Sequence, residues 1–123
     1  MNKPIEINEA KVESFDLEAV TLRLRDSEEY VKNGRSAQTV VKGPDLTATV
    51  VMINAGVELG EHAAPASAML VVLDGEINFI SGGSERRVAK GCSVVFAGGE
   101  RHSVRGVEES AFLLVIATRG ADH

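Results

Sequence analysis

The sequence predicts an all-β protein, a small jelly-roll barrel carrying a short N-terminal helical segment, and three observations lead there. From Ser36 onward, short β-rich runs alternate with turn signals, and no amphipathic helix recurs. About eight such runs crowd into roughly eighty residues, a spacing that suits a closed barrel or sandwich better than an open sheet. The turns between them hold Gly43-Pro44-Asp45, Asn54-Ala55-Gly56, Asp74-Gly75, Ser81-Gly82-Gly83-Ser84, Lys90-Gly91 and Gly98-Gly99. These residues suit the positive φ or tight reversal of a hairpin. A chain of 123 residues is long enough for one domain with its own core. The expected organisation is an N-terminal extension over 1–35, the barrel over 36–118 and a tail over 119–123.

In chain order, 5–7 reads as a short strand. Leu17, Val20 and Leu24 then recur at helical spacing behind Asp16, a suitable N-cap. Val20, Leu22 and Leu24 also alternate with Thr21, Arg23 and Arg25, which is strand periodicity. The flanking Leu17-Glu18-Ala19 and Ser27-Glu28-Glu29 favour helix, expected from 16 to 31. Asn33-Gly34 supplies residues tolerant of the left-handed conformation at its end. The expected barrel strands are 37–41, 46–53, 68–73, 76–80, 86–89, 93–96, 103–107 and 111–118.

Only 4% of residues are aromatic, so the core must be built from Val, Leu, Ile and Met. Met69-Leu70-Val71-Val72-Leu73 and Phe112-Leu113-Leu114-Val115-Ile116 are apolar at every position, which a sheet with one wet face does not need. Something covers part of the outer surface, either the N-terminal helix or a second subunit. One short helix shields only part of a sheet, so a homodimer is expected.

A net charge of −5 and no cluster of Lys and Arg argue against a nucleic-acid surface. The first fifteen residues are broken by Lys3, Glu6, Glu9, Lys11 and Glu13, and no window reaches the length of a membrane span. A lone cysteine excludes an intramolecular disulfide and fits a reducing compartment, so the expected location is cytoplasmic. Cys92 adjoins the run Val94-Val95-Phe96 and reads as a small core residue.

The residues with the clearest chemical potential are His62 and His102, each set beyond a glycine turn on a separate stretch; His123 ends the chain and reads as a frayed terminus. The surroundings of the pair resemble the cupin family, whose signatures are G-(x)5-H-x-H-(x)3,4-E-(x)6-G and G-(x)5-P-x-G-(x)2-H-(x)3-N. Gly56, His62 and Gly75 match the first, with Ala64 at the second His position and Ala68 at the Glu position. Gly91, Gly99 and His102 match the second, with Ala97 in place of Pro and Gly106 in place of Asn.

The resemblance implies a barrel whose ligand pocket is marked by His62, His102, Ala64 and Ala68. In metal-binding cupins three histidines and a glutamate hold one divalent metal, and this chain keeps two of those four donors. The expectation is therefore a small-molecule-binding barrel, its aliphatic cavity marked by the pair, with no tightly held metal and an undetermined ligand. The first alternative is a metal-dependent enzyme of dioxygenase or isomerase type, holding Fe, Mn, Ni or Zn on His62 and His102 with Glu100 as possible third donor. The second is a protein-interaction module. Two imidazoles can also bind a hydroxylated or anionic ligand, or move a proton, without metal, so enzymatic activity is left open. Arg101 and Arg105 flank His102 and could receive a carboxylate or phosphate, although arginines near hairpin ends are mostly solvated.

Overall fold

A computed structural model describes residues 3–8 and 12–117. Along them run β1 (Ile5–Glu6), α1 (Leu17–Arg25), α2 (Glu28–Asn33), β2 (Arg35–Lys42), β3 (Leu46–Ile53), β4 (Glu58–Ala63), β5 (Ala68–Asp74), β6 (Glu76–Ser81), β7 (Ser84–Ala89), β8 (Ser93–Phe96), β9 (Arg101–Gly106) and β10 (Ser110–Ala117). One sheet has the order β1-β2-β3-β10-β5-β8 and the other β4-β9-β6-β7. Apart from the parallel β1–β2 contact, these pairings are antiparallel. This is the all-β barrel with a short helical segment that the sequence predicts.

The helical segment differs in one respect: it is two helices rather than one. Asp16 caps α1, its carboxylate accepting from the amides of Glu18 and Ala19 at 2.9 and 3.3 Å. Ser27 ends it and starts the next, because its hydroxyl donates to the Leu24 carbonyl at 2.7 Å and accepts from the Tyr30 amide at 3.1 Å. A serine that can satisfy both ends favours a cap over continuation. Gly34, at φ 77°, closes α2 in the left-handed conformation. The strand alternative at 20–25 loses because helical spacing buries Val20, Thr21 and Leu24 together.

Two apolar layers result. Between the sheets lie Ile53, Leu70, Val72, Ile77, Phe79, Val104 and Phe112. On the outer side of the six-stranded sheet, Val20, Leu24 and Tyr30 cover Val50, Met52 and Ala111. The all-apolar runs in β5 and β10 therefore serve both layers, as Phe112 and Leu114 face inward while Leu113 and Val115 pack on the helix side. Burying one such side chain fully stabilises by about 1.5–3 kcal/mol. The Tyr30 hydroxyl donates to Glu109 Oε2 at 2.7 Å and ties α2 to the loop before β10. Burial, reinforced by that carboxylate, holds the phenol pKa well above its usual value.

Two further expectations change. Cys92 is exposed, not part of the core. It sits in the turn before β8, where its carbonyl pairs with the Val72 amide at 3.0 Å and the strand that would bury alternate residues has not begun. A strand also forms at Glu58–Ala63, where the polar, glycine-containing stretch hid it. The terminal tail and His123 lie outside the described residues. No helix among those described is long and apolar enough to cross a membrane.

Candidate functional site

Strands β4 and β9 bring the two histidines together. β9 alternates regularly, so His102 and Val104 face inward while Arg101 and Arg105 are exposed. β4 does not alternate: Leu59 pairs with Val104 and His62 with His102, leaving Gly60 and Glu61 opposite the single residue Ser103. This is a β-bulge. Simple alternation from Leu59 would turn Glu61 inward and His62 outward; the extra residue reverses that parity, and His62 faces His102. Glu61 accordingly points away and accepts from Arg101 Nε at 3.1 Å. Arg105 stands in register between Glu58 and Asn78, so neither arginine is aimed at the imidazoles.

The rings lie edge to face, with centroids 4.4 Å apart and planes at 62°. His62 Nδ1 is 2.7 Å from the Gly60 carbonyl, and His102 Nδ1 is 3.2 Å from that of Glu100. A carbonyl can only accept, so in the neutral rings each Nδ1 carries the proton and each Nε2 keeps its lone pair free. The site thus offers two imidazole acceptors side by side.

Their surroundings differ. His102 is 3% exposed, stacked at 15° on Phe79 with centroids 5.2 Å apart and 4.6 Å from the Phe96 ring. Burial lowers its pKa below the usual imidazole value, and the neighbouring His62 adds to this; the Glu100 carbonyl opposes it. His62 is exposed and opens the pair to solvent.

The two alanines are buried beside this wall. The Ala64 carbonyl accepts from the Gly99 amide at 2.9 Å. Gly98 permits the loops to meet, since a Cβ there would stand 2.7 Å from the Ala66 Cα. Ala68 lies opposite Phe96 in the β5–β8 register. The positions that would extend a donor set are therefore methyl groups, with an aromatic ring nearby. Glu100 meets His102 through its backbone carbonyl. Among the described residues, no three His, Cys, Asp or Glu side chains are grouped to hold a metal ion. Two imidazoles fall short of the three or more protein donors usual for a held divalent metal, so this donor set does not fit one.

The pair is thus walled by the rings of Phe79 and Phe96 and open on its His62 side. Phe79 and Phe96 escaped the sequence reading, although the inward alternation of Ile77 with Phe79 and of Val94 with Phe96 carries the signal. A surface groove of about 570 Å³ is lined by Met69, Val95 and Val115 on the outer sheet face, with Ala68 at its end, and by neither imidazole.

Comparison with known proteins agrees with this architecture. Residues 49–117 match the family described as Cupin domain. A conserved protein of unknown function from Streptococcus pyogenes is 28% identical, with 95% of each chain covered and a TM-score of 0.70. A cupin 2 conserved barrel domain protein from Leptotrichia buccalis is 30% identical over 85% of this chain and 47% of its own, with a TM-score of 0.71. Salicylate 1,2-dioxygenase from Pseudoaminobacter salicylatoxidans shares the fold at 15% identity, covering 83% of this chain and 34% of its own, with a TM-score of 0.73. No curated protein matches the chain.

Proposed function

The chain belongs to the cupin family, and from that premise we propose that it binds a small hydroxylated molecule at the His62–His102 pair without a tightly held metal. One observation carries this reading: both Nδ1 atoms are engaged by backbone carbonyls, which leaves the Nε2 atoms of two rings with centroids 4.4 Å apart as the acceptors of the pair. Such a pair suits a ligand that presents two hydroxyl donors, as a sugar, a polyol or a catechol does. The depressed His102 pKa favours hydroxyl over carboxylate, because a neutral imidazole accepts a hydrogen bond and carries no charge to attract an anion. Phe79 and Phe96 offer apolar rings at the back of the site, which suits a ligand with a ring of its own.

A thermal-shift screen of sugars, polyols, phenols and organic acids tests it. A hydroxylated ligand raises the melting temperature of the wild type, and the shift disappears in His62→Ala, whose exposed position leaves the fold intact. Protein purified without chelator carries less than about a tenth of an equivalent of Fe, Mn, Ni or Zn. A stoichiometric metal lost in His62→Ala defeats the proposal in favour of a metal-dependent cupin. A screen in which only carboxylates bind would reverse the assigned ligand class.

A further inference from the structure

Away from the histidines, a cleft of about 330 Å³ lies between α1, the end of β5 and the turn joining β7 to β8. Helical spacing builds one side of it. Leu17, Thr21 and Arg25 recur every four residues and so line up along one face of α1. Leu73 and Asp74 come from β5, and Lys90 enters from the turn, held there by its amide donating to the Gly75 carbonyl at 3.0 Å. Leu17 and Leu73 are partly buried against the helix-side core, which gives the cleft an apolar part. Thr21 is 7% exposed; its hydroxyl donates to the Leu17 carbonyl at 3.0 Å, which leaves its oxygen free to accept.

Arg25 is the group in this cleft that lacks its usual partners. Its Nε is shut off from solvent and has no hydrogen-bond partner among the described residues. Its two ion pairs are long, at 3.6 Å to Glu109 and 3.9 Å to Asp74, and both carboxylates are engaged elsewhere. Glu109 accepts from the Tyr30 hydroxyl at 2.7 Å, and Asp74 accepts from the Gly75 amide at 3.1 Å. A guanidinium carries its donors in a planar fork that matches the two oxygens of a carboxylate, and leaving them unmade is costly. A carboxylate that draws Arg25 into the cleft gives the fork its bonds.

The surrounding charge asks for more than an anion. Two cations, Arg25 and Lys90, stand among three carboxylates, those of Glu18, Asp74 and Glu109. A bare anion meets that excess of negative charge, whereas a ligand with its own ammonium group balances it. Asp74 is close enough to the guanidinium for one small molecule to place its carboxylate on Arg25 and its ammonium on Asp74.

We propose that this cleft binds a free α-amino acid with an aliphatic side chain. Its carboxylate takes the Arg25 fork with Lys90 beside it, its ammonium meets Asp74 and the Thr21 oxygen, and its side chain lies against Leu17 and Leu73. A cleft of about 330 Å³ is near the lower end of small-molecule sites, which suits a ligand of this size.

Titration of the ¹⁵N-labelled protein with L-leucine, followed by NMR, tests this. Leucine shifts the Thr21, Asp74 and Lys90 amide signals and saturates them below about 20 mM, which corresponds to a millimolar dissociation constant. The same molecule without its ammonium, 4-methylpentanoate, and without its carboxylate charge, leucinamide, each bind at least about tenfold more weakly. That series is read on the wild type and needs no variant to fold. Arg25→Gln and Asp74→Asn each weaken leucine binding about tenfold or more. The Asp74→Asn change keeps a side-chain oxygen to accept from the Gly75 amide. Arg23→Gln, on the part of α1 that reaches Gln38, leaves leucine binding unchanged. Failure to saturate overturns the proposal, as does leucine binding that survives in both cleft variants. An analogue that binds as tightly as leucine overturns it too, because the cleft would then not be reading both charges.

Discussion

His62 and His102 face each other across one antiparallel register, yet they occupy two different environments. His102 lies on an unbroken strand, 3% exposed, against Phe79 and Phe96. His62 lies just past a bulge, is exposed, and takes its direction from the Gly60 carbonyl two residues back. Regular pairing gives the first both its direction and its burial; the bulge gives the second direction alone. A pair built this way has one ring fixed in the core and one that meets solvent.

The largest test of that contrast is stability. His102→Ala empties a packed position between two aromatic rings and costs about 2–4 kcal/mol, the range for large-to-small core substitutions. His62→Ala removes an exposed ring and stays within about 0.5 kcal/mol of wild type. Urea unfolding of both variants measures the difference. Equal losses would break the comparison, since they would mean that both rings pack alike.

The next effect is the response to pH. Burial lowers the folded-state pKa of His102, so below the ordinary imidazole pKa of about 6.5 the unfolded chain binds more protons than the folded one. Its contribution is fully present above that pH and is lost as pH falls toward the folded-state value. Unfolding free energies of the wild type and of His102→Gln should converge as pH falls through this window and separate above it. NMR titration should place the His102 midpoint below the usual imidazole value. A midpoint at or above it would remove the assigned burial effect and, with it, the argument for a neutral acceptor.

How much of this was legible in the sequence follows from the same contrast. The strands at 46–53 and 93–96 were read with their observed bounds because their apolar alternation and flanking turns agree. The strand expected at 103–107 forms at Arg101–Gly106, which takes His102 into the ladder rather than leaving it before the strand. β4 was not read as a strand, since Gly60 and Glu61 interrupt any alternation, and a bulge leaves no mark in a single sequence beyond the polar stretch that hides it. The split between α1 and α2 was missed because Ser27 reads equally as a helix residue and as a cap until Tyr30 is seen to bond to it. Phe79 and Phe96 come from different sheets, so their closure on His102 needs the tertiary pairing that only the structure supplies.

The smallest effect concerns a proton. A free neutral imidazole can carry its hydrogen on either nitrogen, and here a backbone carbonyl selects Nδ1 in both rings. The carbonyls have different origins: that of Glu100 belongs to the turn entering a regular strand, whereas that of Gly60 exists as a partner because of the bulge. Deleting Gly60 restores a one-to-one ladder, keeps His62 opposite His102, and removes the carbonyl that holds its Nδ1–H. The expected ¹⁵N spectrum above neutral pH shows both wild-type rings protonated at Nδ1. In the deletion variant His62 shifts toward the Nε2–H form while His102 does not. Ligand binding should then weaken though both rings remain, because one of the two acceptors has become a donor. If both tautomers stay fixed, the bulge sets only where His62 sits and not which nitrogen it offers.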